Sequence, residues 1–331
     1  METVLTLAAH NLLSPIILCF ALGLAAALAK SDLNFPEAVA KGMSLYLLFA
    51  IGFKGGASIA DHGVDGGLIA ALLAGVVLSA LLPIIAFGLL RVMSGLSTLD
   101  AAAVAAHYGS ISIVTFVAAT SILQAQGIVY EGYMVAVAAA MEAPAIVSAL
   151  WLISRKGGEQ RGNSAGAMDG ALMREILLNG SIVLLVGSFV IGWVTGEKGL
   201  TEISPFIVSP FKGVLCLFLL DMGIVAGRGL LRARGAVSVP VVAFGVIMPL
   251  VGASIGLMTA LVLGLSVGGA ILLMTLSASA SYIAVPAAMR VALPEANPAV
   301  YLTLSLGITF PFNLTIGVPL YVAVASAVLG G

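Results

Sequence analysis

The chain is 331 residues long, with 61% hydrophobic residues, 9% charged residues and a net charge of −1. A soluble domain carries roughly a quarter charged residues, so a mean hydropathy of +1.17 reads as an all-α polytopic membrane protein whose solvent is the lipid bilayer. The near-neutral balance also argues against a nucleic-acid partner, which needs a basic face.

Ten apolar spans are predicted, at about 11–29, 37–53, 67–91, 100–125, 131–154, 175–196, 204–228, 238–264, 268–291 and 298–329. Each has close to the roughly 20 residues that a helix needs to cross the hydrocarbon core. Met1-Glu2-Thr3 lacks the basic start of a secretory leader, so none is expected. Cys19 and Cys216 fall inside the first and seventh spans and read as small packing residues, not as a disulfide or metal pair. The second span closes on Phe49-Ala50-Ile51-Gly52-Phe53-Lys54-Gly55-Gly56, the fourth holds His107-Tyr108-Gly109-Ser110-Ile111-Ser112, and the fifth carries Glu142. A polar, Gly/Ser-rich connection over 155–174 then separates a first half, 1–154, from a second, 175–331. It is too short to hold a soluble enzyme domain. With no Gly-Lys dipeptide and no His-Glu-x-x-His anywhere, ATP-driven transport through a P-loop and metalloprotease chemistry both drop out.

The second half repeats the first. Ala278-Ser279-Ala280-Ser281 follows Gly109-Ser110-Ile111-Ser112 at a shift of 169 residues, and Asp221-Met222-Gly223 lines up with Ala50-Ile51-Gly52 at 171. Thr309-Phe310-Pro311 lines up with Glu142-Ala143-Pro144 at 167. Five spans per copy is an odd number, so the copies face opposite ways across the bilayer: a 5+5 inverted repeat, as in many secondary transporters. Eleven of the 14 Lys and Arg fall in loops on one side, with only Lys54 and Lys198 in the opposite loops and Lys212 inside a span. By the positive-inside rule the central connection is cytoplasmic and both termini lie outside.

Ser110 lies about ten residues into the fourth span, or roughly 15 Å at 1.5 Å per residue. Ser279 reaches a similar depth in the ninth span from the opposite face. Helices four and nine are therefore expected to break at the membrane midplane and to meet there. Their serines are placed to cap the second half-helices, and Pro286 favours the second break. Two helix N-termini aimed at one point form an anion site, with Gly109, Ser110, Ile111, Ser112, Ser279, Ala280 and Ser281 as the substrate-binding residues. Gly/Ser clusters also let membrane helices pack closely; doubling at matched depth favours a site.

Ionisable residues at membrane depth are functional candidates by default. Glu142 lies mid-span, and Asp221 lies about two turns from the cytoplasmic end of its helix. Sodium is a hard cation and takes oxygen ligands. Asp221, Asn313, Thr309, Thr115, Ser110 and Ser279 supply them, with sodium the one metal ion expected and no cofactor. Glu142 and His107 are further candidates, a hydrogen-bonded packing role being the plainer account of His107.

Tyr108–Phe116, Phe49–Gly56 and Thr309–Thr315 resemble the sodium-dependent bicarbonate transporters of cyanobacteria and other bacteria, and the resemblance runs along nearly the whole chain. It implies a ten-helix inverted repeat divided into a moving core and a gate, a homotrimer, and sodium-coupled bicarbonate uptake across the bacterial inner membrane. It also implies Ser110, Ser112, Ser279 and Ser281 around the anion, with Asp221 and Asn313 as sodium ligands. The cyanobacterial members have a PII-like regulator as partner; the central connection here is shorter than theirs. The combined reading is a secondary active symporter of sodium and bicarbonate, and not an enzyme. Its rivals are a transporter of another small organic anion on the same fold and a non-transporting membrane receptor with a cytoplasmic partner. Ile111, Ile113, Val114, Tyr282 and Ile283 leave little room for a larger substrate, and a receptor has no need of a doubled midplane motif.

Overall fold

A computed structural model of the chain describes residues 13–60, 66–142, 144–156, 180–232, 238–282, 285–286, 289, 293 and 295–330. It is 84% helical, with no strand among the described residues. In chain order the helices are α1 (Pro15–Leu28), α2 (Glu37–Ala60), α3 (Gly66–Met93), α4 (Thr98–Gly109), α5 (Ile113–Ala125) and α6 (Met134–Ala140). There follow α7 (Pro144–Lys156), α8 (Gly180–Ile207), α9 (Phe211–Arg232), α10 (Val239–Leu263), α11 (Val267–Ala278) and α12 (Pro298–Leu329). Counting α4 with α5 and α6 with α7 as single passes gives about ten helices. Seven helical runs are long and apolar enough to cross a membrane.

The helix starts follow from polar caps that satisfy first-turn amides. Ser14 caps α1 ahead of Pro15, Ser97 caps α4, Ser266 caps α11, and Asn297 caps α12 ahead of Pro298. At the other end of α10, Gly264 takes a left-handed conformation (φ 65°) that stops the helix.

Two groups of helices form. α1 packs along α9 and α2 along α8, while α3, α4, α5, α6, α7, α10, α11 and α12 pack among themselves. Within the first group backbones nearly touch. A Cβ on Gly223 would lie 2.2 Å from the Phe20 carbonyl oxygen, and one on Gly56 would lie 1.9 Å from that of Phe189. Only small residues allow such an approach between membrane helices. In the second group, α3 turns Ile69, Leu73, Val77, Leu81 and Ile84 outward at one-turn spacing. Such a stripe suits lipid and would not be stable facing water. By contrast every residue from Ala101 to Leu123 and from Gly268 to Tyr282 is buried. The fourth span and the described start of the ninth therefore have no lipid face and run through the interior.

Several boundaries differ from expectation. α2 continues to Ala60, so Lys54 belongs to a helix wall and not to a loop; Gly55 and Gly56 are held helical by close contacts with Val135 and Phe189. α8 runs on past a kink at Gly196 (φ 59°), which puts Lys198 in a helical turn. The fifth span is described as two helices, the second starting at Pro144, which has no amide to donate to the preceding turn. α12 passes through Pro311 without a break; wide π turns at Thr303–Thr309 and Asn313–Gly317 flank it and relieve the proline clash. The predicted connection at 155–174 starts later, since α7 extends through Lys156. Residues 157–174, Ala143 and Ile283 lie outside the described residues, as do Arg234 and Arg290, which entered the count of basic loop residues.

Candidate functional site

α4 ends at Gly109 because Ser110 turns to extended backbone (φ −87°, ψ 153°). Gly109 is required here: a Cβ would lie 2.1 Å from Pro83 Cγ and 2.8 Å from the Ser79 carbonyl oxygen, so α3 and α4 meet backbone to backbone. α5 begins two residues on, capped by Ser112, whose Oγ accepts from Thr115 N (3.2 Å) and from Thr115 Oγ1 (2.9 Å). The second copy behaves alike. α11 ends at Ala278, Ser279 is extended (φ −84°, ψ 162°), and Ser281 Oγ accepts from Val285 N at 3.5 Å.

The two stretches touch. Ser112 N donates to Ser279 Oγ (2.9 Å), and Ser281 N donates to the His107 carbonyl oxygen (2.8 Å). Ser279 Oγ in turn donates to Leu276 O (2.9 Å). Ser110, Ile111, Ser112, Ser279, Ala280 and Ser281 are each at most 3% exposed. Two extended segments thus cross in the interior and exchange hydrogen bonds that neither can make within its own helix.

Glu142 joins this crossing. Ser110 Oγ donates to its Oε2 at 2.7 Å, and the carboxylate is buried. It stands where the fifth span is interrupted, between α6 and α7. Asn313 lies on the other flank: its Nδ2 donates to Ala278 O (2.8 Å), the residue before Ser279, and its Oδ1 accepts from Tyr321 OH (2.8 Å). Thr309 meets the fourth span one residue before Gly109, through Tyr108 OH (2.6 Å), and donates to Gly245 O (2.7 Å). Thr115 is one turn inside α5.

Asp221 stands apart. It is buried on α9 beside the α1 contact, and no hydrogen bond joins it to either serine stretch among the described residues. Arg228, seven residues further along α9, donates to Asn34 Oδ1 (2.8 Å) and Leu33 O (2.9 Å). His107 contributes through its backbone; its ring bonds Ala103 O through Nδ1 (2.6 Å) and stacks on Tyr301 with centroids 4.6 Å apart. Nε2 has no partner among the described residues.

Ser79 was missed by sequence reasoning. Its Oγ donates to Met141 O (2.6 Å) and accepts from Ala145 N (3.1 Å), which bridges the interruption beside Glu142. A lone serine in an apolar helix carries no signal of its own; Pro144, at the start of α7, was the available hint. Ser79→Ala leaves a buried carbonyl and amide unpaired, with an expected loss of about 1–3 kcal/mol. Thermal unfolding in detergent and faster amide exchange near residue 145 would register it; unchanged values for both would show that the bridge carries no weight.

Chemically the crossing offers hydroxyls, backbone amides, one carboxylate and one carboxamide. Such groups can hold small ions. Among the described residues no group of three or more His, Cys, Asp or Glu could hold a metal ion. The oxygen set suits a hard monovalent cation beside an anion. A family model described as the Na+-dependent bicarbonate transporter superfamily matches residues 15–326 of the 331. No curated protein matches the chain.

Proposed function

The chain belongs to the Na+-dependent bicarbonate transporter superfamily, and from that premise we propose that it is a sodium-coupled bicarbonate symporter working through the serine crossing. The membership and the apolar helices make it a multi-pass membrane protein. The observation that carries the finer reading is the pair of bonds, Ser112 to Ser279 and Ser281 to His107, that joins the two stretches in a fully buried zone.

In this reading helices four and nine are broken at the midplane of a 5+5 inverted repeat. Support comes from contacts that recur at the repeat shift. Gly52 and Gly56 of α2 press on α8, while Gly223 and Gly227 of α9 press on α1. Ser79 of α3 bonds Met141, while Gly245 of α10, 166 residues on, accepts from Thr309. The two helix starts are latched alike: Asp100 Oδ1 accepts from Asn297 N (2.8 Å), and Glu131 accepts from Ser266 N (2.7 Å) and Oγ (2.9 Å).

Bicarbonate is taken at the half-helix N-termini, where amide N–H groups and the positive dipole end favour an anion. Gly109, Ser110, Ile111, Ser112, Ser279, Ala280 and Ser281 line that position. Sodium is held by oxygens drawn from Thr115, Ser110, Ser279, Thr309 and Asn313, with Asp221 joining when the α1–α2–α8–α9 group closes on the other. The cation offsets the repulsion between the anion and the buried acid, which makes each ion favour the other. The homotrimer, the PII-like regulator, the inner-membrane location and the outside termini are proposals resting on the resemblance and on the Lys/Arg asymmetry.

Uptake of labelled bicarbonate into vesicles containing the purified protein, with sodium replaced by potassium or choline, is the direct test. Uptake falling to that of empty vesicles is expected; equal uptake in all three salts would end the coupling.

A further inference from the structure

Lys54 is a half-buried cation in the interior-facing wall of α2, and the serine crossing makes no use of it. Its Nζ lies 4.2 Å from the centroid of the Phe211 ring, at the start of α9. Among the described residues no carboxylate lies within ion-pair distance of it, and the nearby acid of the α5–α6 loop, Glu131, is already committed to Ser266. An ammonium at the rim of an apolar helix normally reaches outward to water or to a lipid phosphate. Lys54 lies instead over an aromatic face inside a cleft between the two helix groups.

That cleft is open and mixed in character. Ser58 from α2, Thr120 and Gln124 from α5, and Tyr130 from the following loop line it together with Lys54 and Phe211. Gln124 Nε2 donates to Tyr130 OH at 3.3 Å, which fixes the amide on the cleft wall. The helix that supplies Thr120 and Gln124 is the one capped by Ser112. Thr120 lies eight residues beyond that serine, about 12 Å along the axis at 1.5 Å per residue. The cleft therefore lies beside the far part of α5, walled by both helix groups, with Lys54 as the cation in its lining.

We infer that this cleft is an anion-gathering vestibule: Lys54, with the second amide N–H of Gln124 on the cleft wall, holds a small monovalent oxyanion loosely before it moves along α5. The inference rests on the transport reading for the identity of that anion, but not for its charge. A lysine held over an aromatic ring loses freedom to swing away, which suits transient capture better than tight binding. The same charge repels sodium.

The experiment measures charge preference in the cleft without transport. In a background with Cys19→Ser and Cys216→Ser, the exposed Gln124 is changed to cysteine. Its labelling rates are taken with a sulfonatoethyl and a trimethylammonioethyl methanethiosulfonate. A unit charge about 7 Å away in water changes the local concentration of each reagent about threefold, in opposite senses. Lys54→Gln is therefore expected to lower the ratio of anionic to cationic rate by roughly sevenfold, and Lys54→Arg to keep it. An equal ratio in the lysine and glutamine forms overturns the vestibule. In uptake assays Lys54→Gln is expected to raise the half-saturating bicarbonate concentration while the maximal rate persists. Should the protein move no bicarbonate at all and the labelling ratio still follow Lys54, the vestibule stands and the transport reading alone fails.

Discussion

Ser279→Ala is expected to cut bicarbonate uptake by about 5- to 150-fold and to lower thermal stability at the same time. The hydroxyl of Ser279 has two partners. It accepts from the amide of Ser112 across the crossing and donates to Leu276 O in its own helix. Removing it strands the Ser112 N–H in a zone with no solvent, at a cost of about 1–3 kcal/mol, which corresponds to the stated range in an equilibrium constant. The loss falls on one of the two contacts that align the stretches, the other being Ser281 N to the His107 carbonyl oxygen, so a substrate held by both loses part of its geometry along with one donor. Ser279→Thr keeps the oxygen and should retain most of the activity. Ser254→Ala serves as control, because that side chain is exposed and bonds only Leu250 O of its own helix. Wild-type uptake and stability in Ser279→Ala would mean that the crossing neither binds nor positions the substrate.

The crossing was legible because two features coincide in the residues. Small residues in the middle of an apolar span mark a helix that either packs closely or stops, and Ser110 and Ser279 recur at one fixed shift. The partners of the crossing were legible in part. Thr309 and Asn313 stood out as polar residues near a proline, and both are tied to it, Thr309 through Tyr108 and Asn313 through Ala278. The shape of α12 was not legible, since a π turn is a response of the backbone to Pro311 and to its packing, with no residue type of its own. Lys54 was misread for a simpler reason. Span length alone ended the second helix there, whereas the glycines that follow stay helical because α6 and α8 press on them. Asp221 was grouped with the site by its rarity in a membrane segment, and rarity says nothing of which neighbour it faces.

Glu142→Gln is expected to flatten the sodium dependence of uptake, in contrast to Asp221→Asn, which is expected to shift it. Glu142 is the acid that the fold brings to the crossing, held by Ser110 Oγ at 2.7 Å. An anion about 6 Å from an ionised carboxylate, at an effective dielectric constant near 20, meets a repulsion of roughly 2.8 kcal/mol. That is about a hundredfold in affinity, and a sodium ion lying between the two would cancel it. Glutamine keeps the shape and still accepts from Ser110, yet it carries no charge, so the anion no longer needs the cation. The measured ratio of uptake with sodium to uptake without it should then fall toward one, with activity retained. Asp221→Asn removes a carboxylate on α9 that, in the proposed cycle, reaches the ion only when the two helix groups close. The sodium concentration for half-maximal uptake should rise while the ratio at saturation persists. A wild-type sodium ratio in Glu142→Gln would remove this acid from the coupling and leave Asp221 as the charge that sodium answers.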